Sequence, residues 1–218
     1  MERLLLSDTR LSYGHGASSG PLVAATIGDV FDRVASSQPE HEALVSRHQN
    51  LRYTYGQIQA EVDCFAQGLM ALGIRSGDRV GIWSPNHAEW VVTQFATAKI
   101  GAILVNINPA YRVHELEYAL NQSGCTALII APPFKTTDYS ALLREVCPEL
   151  PRDEPGQLSA ARVPNLRTVI AFGGQHLPGA YDWEDVLEIA ENVTSEELAA
   201  RQSEQEGGKA IALCGRRP

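Results

Sequence analysis

The residues of this sequence that could do chemistry are spread out and do not form a recognisable catalytic or metal-binding motif. No serine or cysteine lies in a triad arrangement, and no H-E-x-x-H pair is present. The six histidines are scattered, at positions 15, 41, 48, 87, 114 and 176. His114 is followed by Glu115, but adjacent positions of a helix do not share a face. The sequence therefore predicts no catalytic residue and no metal site.

A phosphate-binding loop is not supported either. The run Gly207-Gly208-Lys209 is similar to the end of a Walker loop, which requires glycine at position 203 and serine or threonine at position 210. The sequence has Ser203 and Ala210 at these positions. We therefore expect this chain to hold no cofactor by itself.

The most unusual local segment is Asn106-Ile107-Asn108-Pro109-Ala110-Tyr111-Arg112, which follows a predicted buried strand and precedes a predicted helix. Ligands of doubly wound sheets gather at the carboxyl ends of such strands. Asn108, Tyr111 and Arg112 are therefore candidates for lining a ligand crevice. The alternative is structural: Pro109 fixes the turn, Asn108 hydrogen-bonds it and Arg112 faces water. We favour the structural interpretation and keep the three residues as candidate binding residues.

The elements that would position this segment are indicated by capping residues and turns. Six residues have the sequence context of a helix N-cap: Thr26, Thr54, Asn86, Asp138, Asp182 and Thr194. At Asn86 the predicted partner in the capping box is Glu89. Glycines at 73, 101 and 124 mark helix ends. Short strands at 43–46 and 51–54, separated by a polar turn, predict a β-hairpin.

Four apolar runs alternate with the predicted helices, at 79–83, 102–107, 126–130 and 167–172. Near-continuous apolar runs are typical of strands that are buried on both faces. Strand–helix–strand units need crossover connections, which make neighbouring strands parallel. The sequence therefore predicts an α/β fold: a doubly wound, mostly parallel sheet with helices on both faces, together with an N-terminal β-hairpin.

The composition excludes several classes of protein. The chain has 218 residues, of which 44% are hydrophobic and 20% charged, and this ordinary balance excludes wholesale disorder. The net charge of −8 argues against nucleic acid or an anionic membrane as a partner. No apolar run is long enough to cross a bilayer. The four cysteines form no C-x-x-C pair, which favours reduced, buried thiols and a cytoplasmic location.

Four segments, at 51–57, 68–73, 77–86 and 98–109, are similar to those of a known family. They include the runs LRYTYGQ, GDRVGIWSPN and AKIGAILVNINP. In order and spacing they resemble the N-terminal half of the adenylate-forming enzymes. Within these, they look like the AMP-binding fatty-acyl-CoA synthetases, close to the medium-chain acyl-CoA synthetase family member 2 type. The resemblance runs from about residue 11 to about residue 202.

The resemblance implies a two-step reaction. A fatty-acid carboxylate attacks the α-phosphate of ATP, which gives an acyl-adenylate and pyrophosphate, and coenzyme A then displaces AMP to form the thioester. Magnesium would assist by neutralising phosphate charge. Full-length members of the family are thus expected to bind a fatty acid, ATP, Mg²⁺ and coenzyme A.

The sequence departs from the family near residue 203. The family's Ser/Thr/Gly-rich phosphate loop, its later adenine-, ribose- and metal-binding motifs and its C-terminal lysine have no counterpart in this sequence. We therefore expect a sheet that is incomplete relative to the family domain, and a chain that is inactive by itself.

The departure also predicts how the chain is divided. An irregular lead-in (1–25) is followed by the N-terminal part of the AMP-binding domain (26–204) and a divergent tail (205–218), as a truncation or a frameshift would produce. One alternative function is a non-catalytic interaction module. Another is one half of a split synthetase, in association with a complementary fragment or a full-length homologue.

Overall fold

Helices and strands alternate along the computed structural model of the chain, which describes residues 23–206 and 211–214. The predicted lead-in up to residue 22 lies outside these residues, as do 207–210 and 215–218 of the predicted tail. The helices are α1 Ile27–Ser37, α2 Tyr55–Ala71, α3 Ala88–Ile100, α4 Val113–Ser123, α5 Tyr139–Val146, α6 Trp183–Ile189 and α7 Ser195–Ser203. The strands are β1 Glu42–Ser46, β2 Leu51–Thr54, β3 Arg79–Trp83, β4 Ile103–Ile107, β5 Ala127–Ile130, β6 Thr168–Ala171, β7 Tyr181–Asp182 and β8 Ala212–Cys214.

The predicted fold class is confirmed. Strands β3 to β8 form one sheet in the order β7-β6-β5-β3-β4-β8, and every neighbouring pair is parallel. Strands β1 and β2 form the predicted antiparallel hairpin. Helix α2 packs on α1, α3 and α6, whereas α4 packs on α5, so the helices form two groups, as a doubly wound sheet requires. In the part of the chain that the structure describes, no helix is both long and apolar enough to span a bilayer.

Two strands were not predicted from the sequence. Strand β7 has only two residues and leads directly into α6. Strand β8 lies in the predicted tail, where Ala212 pairs with Leu104 of β4. Part of the segment predicted to diverge therefore adds a strand to the sheet.

The predicted N-caps hold at five of six positions. Thr26, Thr54, Asp138, Asp182 and Thr194 each lie at the N-cap of a helix. The predicted capping box of Asn86 and Glu89 is wrong, because α3 begins one residue later, after His87, which makes no capping hydrogen bond. A side chain from the hairpin turn takes over this role, as described below for the site.

A buried lysine ties the helices of one face together. Lys99 on α3 is 2% exposed, and its ammonium group pairs with Asp32 of α1 at 2.5 Å and with Asp63 of α2. Gln202 of α7 donates a hydrogen bond of 2.9 Å to Asp32, and Gln59 of α2 donates another of 2.8 Å. Four helices therefore meet at one charge.

The two carboxylates respond differently to this environment. Burial opposes the ionisation of Asp32, but hydrogen bonds from Lys99, Gln202 and Gln59 outweigh it and lower its pKa. Burial, together with the nearby charge of Asp32, raises the pKa of Asp63 despite the opposing effect of Lys99. Asp32 is thus the more firmly ionised partner of Lys99.

The packing of α2 against α6 depends on a glycine. Gly68 is buried on α2, and a Cβ atom at this position would lie 2.2 Å from the backbone oxygen of Val186 on α6. A contact this short with backbone cannot be relieved by moving one side chain. Gly68 therefore sets how closely the two helices approach.

Replacing Gly68 by alanine tests this contact. Helix propensity alone would make Gly68→Ala stabilising by about 1 kcal/mol. The clash with Val186 instead predicts a loss of about 1–3 kcal/mol in the free energy of unfolding, measured by urea denaturation. Ala60→Gly, at an exposed position of the same helix, is the control and should cost about 1 kcal/mol. A Gly68→Ala protein as stable as the parent would contradict the proposed contact.

Lys99, Asp32 and Asp63 form the Lys99 cluster. Removing its cation and removing its two carboxylates should lower the free energy of unfolding by different amounts. The double variant Asp32→Asn/Asp63→Asn leaves a buried ammonium without a counter-charge and should cost about 3–5 kcal/mol of unfolding free energy. Lys99→Met should cost less, because methionine fills the same space and the two carboxylates remain partly hydrated. Denaturation with urea, followed by tryptophan fluorescence, compares the two. A larger loss for Lys99→Met than for the double variant would show that the interpretation is wrong.

Candidate functional site

The order of the strands locates the crevice of the sheet. The chain passes from β3 to its neighbour β4, and then crosses over to β5 on the other side of β3. Such a reversal is a topological switch point, and ligands of open α/β sheets bind there, outside the carboxyl ends of the strands. Here these ends are Trp83 of β3 and its partner Ile130 of β5. The loops that follow them define the candidate site.

The three candidate residues of the 106–112 segment do not converge on one crevice. Asn108 is exposed, and its Oδ1 accepts a 2.9 Å hydrogen bond from the backbone N–H of Ala110. Tyr111 is 7% exposed and lies in the hydrophobic core. Arg112 is exposed, and its backbone N–H donates to Glu115 Oε2 at 2.9 Å, at the start of α4. These contacts favour the structural interpretation, and a ligand role for the three residues stays a prediction.

Two buried aromatic residues hold the 106–112 segment in place. The indole Nε1 of Trp83 donates to the backbone oxygen of Asn108 at 3.1 Å. The ring of Tyr139 meets that of Trp83 edge-to-face, with centroids 4.8 Å apart, and its hydroxyl donates to the backbone oxygen of Pro109 at 3.4 Å. Burial raises the pKa of Tyr139. This side of the sheet edge is therefore filled by protein rather than open to a ligand.

A cluster of polar side chains lies on the other side of the same edge. Ser46 and His48 come from the hairpin end, and Ser84 and His87 from the loop after β3; we call these four residues the histidine cluster. The rings of His48 and His87 are 4.8 Å apart at an angle of 81°. His87 also contacts the ring of Phe172, which follows β6. The hairpin is thus docked against the carboxyl edge of the sheet.

The two serine hydroxyls of the histidine cluster donate to oxygen atoms rather than to the histidines. Ser84 Oγ donates to the backbone oxygen of Pro85 at 2.6 Å, and Ser46 Oγ donates to Gln49 Oε1 at 2.6 Å. Each serine oxygen lies 3.4 Å from a histidine Nδ1. The hydroxyl protons are already used, and Nδ1 of His87 also lies 3.3 Å from the backbone oxygen of Pro85, so this network favours an N–H at Nδ1 of His87.

The arrangement of the hydroxyls does not match that of a serine nucleophile. In a nucleophile–base pair the hydroxyl donates to the imidazole at about 2.6–3.2 Å. Here each hydroxyl donates elsewhere, and the separation is longer. Within residues 23–206 and 211–214, no three His, Cys, Asp or Glu side chains come close enough to hold a metal ion. The geometry of the cluster therefore gives no support to covalent or metal-assisted chemistry.

Gln49 links the hairpin to α3. Its Oε1 accepts a 2.8 Å hydrogen bond from the backbone N–H of Ala88, the first residue of α3, and its Nε2 donates to Glu89 Oε2 at 2.8 Å. Gln49 therefore supplies the cap that was predicted for Asn86. The sequence gives no signal for this link, because the partners lie 39 and 40 residues apart and depend on how the hairpin docks.

Comparison with known proteins places this architecture in a family. Residues 31–195 match the sequence model of the AMP-binding enzyme family. The chain belongs to this family. Its sheet thus corresponds to the N-terminal part of an AMP-binding enzyme, as the resemblance of the four segments implied.

Two relatives show how the chain compares in length. It is 45% identical over 176 residues to the mitochondrial medium-chain acyl-CoA ligase ACSF2 of Bos taurus, a match that covers 81% of this chain and 28% of that protein. It is 43% identical over 182 residues to the putative acyl-CoA synthetase YngI of Bacillus subtilis, covering 84% of this chain and 33% of that one. The chain therefore spans about a third of these AMP-binding enzymes.

A solved structure shows the same fold. The fatty acyl CoA synthetase of Mycobacterium tuberculosis superposes with a TM-score of 0.64 at 24% identity, over 87% of this chain and 32% of that one. At this identity the likeness concerns the architecture of the sheet and its helices.

Removing the side chain of Gln49 tests the link between the hairpin and α3. We expect Gln49→Ala to lower the free energy of unfolding by about 1 kcal/mol, the usual cost of a lost helix cap. Hydrogen exchange should also become faster at Ala88, because its N–H loses its acceptor. Gln38→Ala, at an exposed position for which the structure shows no side-chain hydrogen bond, is the control. Unchanged exchange at Ala88 would contradict the capping role.

Proposed function

We propose that this chain forms the N-terminal part of an AMP-binding acyl-CoA ligase that activates medium-chain fatty acids. The observation that carries the proposal is the 45% identity over 176 residues with the bovine medium-chain acyl-CoA ligase. In the proposed reaction a fatty acid and ATP give an acyl-adenylate and pyrophosphate. Coenzyme A then displaces AMP, and acyl-CoA is released.

We further propose that the chain does not carry out this reaction by itself. Enzymes lower barriers by about 8–23 kcal/mol, largely through preorganised charges and donors. For adenylation these groups would be a phosphate-binding loop and a lysine, and the sequence has no counterpart of either motif. The role of this chain would then be to provide the sheet edge against which the remaining parts of a ligase assemble.

The cofactors are assigned to the parts of a ligase beyond this chain. Magnesium prefers carboxylate oxygens and phosphates as ligands, and the described residues offer no cluster of acidic side chains that fits it. We therefore derive no step through the metal. ATP and coenzyme A would likewise be held mainly by other segments, and the division of the chain at residues 204–205 stays a prediction.

The location of the protein is also a prediction. The composition favours the cytoplasm, whereas the bovine relative is named as a mitochondrial protein. Fluorescence microscopy of the tagged chain would decide between the two.

A chimera tests the proposed function. The matching segment of the bovine ligase is replaced by that of this chain, and formation of octanoyl-CoA and AMP is measured with octanoate, ATP and coenzyme A. We expect the chimera to be active and the 218-residue chain to be inactive under the same conditions. The bovine ligase is the positive control.

Two results would contradict the proposal. One is octanoate-dependent release of AMP by the chain alone, and the other is a chimera that melts like the bovine parent but forms no acyl-CoA. A third arm mixes the chain with the remaining part of the bovine ligase as a separate chain. Activity in that mixture alone would favour the split-synthetase alternative.

A further inference from the structure

The two edges of the six-stranded sheet are covered in different ways. The edge beside β6 is covered by β7, and just before β6 the N–H of Leu158 donates to the backbone oxygen of Arg167 at 3.0 Å. Both of these segments lie between well-defined helices and strands. Among the residues that the structure describes, the edge beside β4 is covered by β8 alone, which has three residues. The protection of β4 therefore depends on one short strand.

Without that strand, β4 would be an edge strand of the kind that associates. It pairs with β3 along its whole length on the other side. The sequence has no charged residue between Lys99 and Arg112, and β4 itself contains neither proline nor glycine. Uncharged, proline-free strands of high β-propensity are the ones most prone to pair with another chain. The outer edge of β4 is thus a surface that another strand could occupy.

The backbone hydrogen bonds show which groups of β4 face outward. The N–H of Ile103 donates to the backbone oxygen of Asp78, at the start of β3, whereas the N–H of Leu104 donates to the backbone oxygen of Ile211 at 2.9 Å. Successive residues of a strand direct their backbone groups to opposite sides. The backbone groups of Leu104 and Asn106 therefore face β8.

The register of β8 shows which of its own groups meet them. Ala212 lies opposite Leu104 in this parallel pair. In a parallel ladder the bonds to a residue come from the two neighbours of its partner. The N–H of Leu213 therefore faces the oxygen of Leu104, and the oxygen of Leu213 faces the N–H of Asn106. The N–H of Ala212 points away from β4.

Side chains before β8 hold the chain beside the start of β4. Gln202 of α7 donates a hydrogen bond of 2.9 Å to Asp32 of α1. Gln205 Oε1 accepts a hydrogen bond of 3.3 Å from Ser76, and a Cβ atom at Gly101 would lie 2.1 Å from the same oxygen. Gly101 ends α3, directly before β4. The segment that forms β8 thus starts from a fixed point next to this edge.

We propose that the outer edge of β4 is a strand-docking surface, and that residues 211–214 occupy it and so prevent β4 from pairing with β4 of a second copy. Because β4 carries no charge, an identical strand would meet no like-charge repulsion there. A two-fold axis between the two edges would join the sheets of both copies into one. The inference concerns association of the chain and is independent of the proposed ligase function.

Two proline variants of the 218-residue chain test the proposal. Leu213→Pro removes the N–H that faces β4, whereas Ala212→Pro, the matched control, removes one that faces away from it. We expect Leu213→Pro to dimerise as its concentration rises through the micromolar range, with a weight-average mass in sedimentation velocity that approaches about twice that of one chain. The parent and Ala212→Pro should stay monomeric. Circular dichroism checks that both variants fold.

Hydrogen exchange locates the surface through which the variant dimerises. In dilute, monomeric Leu213→Pro the amides of Leu104 and Asn106 should exchange at least about tenfold faster than in the parent, because their acceptors are lost. The amide of Val105, which faces β3, is the internal control and should not change. Protection of Leu104 and Asn106 should return at concentrations at which Leu213→Pro is a dimer. In the parent both amides should be protected at every concentration.

Several results would overturn the proposal. If Leu213→Pro stays monomeric while Leu104 and Asn106 exchange faster, an open edge does not pair. A dimer in which these two amides remain unprotected would place the contact on another surface. Equal association of the two proline variants, or a dimeric parent, would show that β8 does not control association. Fast exchange of Leu104 and Asn106 in the parent would contradict the proposal without any variant.

None of these readouts depends on the formation of acyl-CoA. The proposed ligase function can therefore fail in the chimera while the role of β8 is confirmed, and the reverse also holds.

Discussion

The buried ammonium of Lys99 is the constraint on which the arrangement of one face of the sheet depends. A charge taken out of water costs several kcal/mol unless it is paired, so Asp32 and Asp63 must stay within reach of it. These two residues belong to α1 and α2, and Gln202 joins α7 to the same network. Because α3 is fixed in this way, its first turn and the preceding His87 are held at the carboxyl edge of β3.

The sequence was sufficient to predict those elements whose stabilising contacts lie between residues close together in the chain. A side chain that caps its own helix, such as Thr54, needs only the next three residues, and five of the six predicted N-caps are confirmed. Buried strands are likewise predicted by continuous apolar runs. The predicted N-cap at Asn86 is wrong because the first N–H of α3 is bonded by Gln49. A rule about neighbouring residues cannot predict a partner that lies 39 residues away. The pairing of Lys99 is hidden for the same reason, since its partners lie on other helices.

The candidate site could be predicted only in part, because it depends on the order of the strands. Alternation of helices and strands indicates that ligands meet the carboxyl edge, and it directed attention to Asn108 after β4. Which two strands flank the switch point is decided by the crossover from β4 to β5, which the pattern of apolar runs does not encode. The edge near Asn108 is closed by Trp83 and Tyr139, whereas the loop after β3 carries His87 beside the docked hairpin.

The net charge of the chain does not decide what this edge can attract. A charge of −8 would repel an anion at long range, but at physiological ionic strength the field of exposed charges falls off within about 8 Å. Inside that distance the local side chains count, and Arg47 is the one permanently charged residue that lines the groove between the hairpin and α3. Asp32, whose pKa is lowered, stays ionised beside Lys99, and burial reduces the screening of this pair by solvent and salt. The same acidic chain can therefore neutralise a buried cation at its helices and offer a cationic rim at its hairpin.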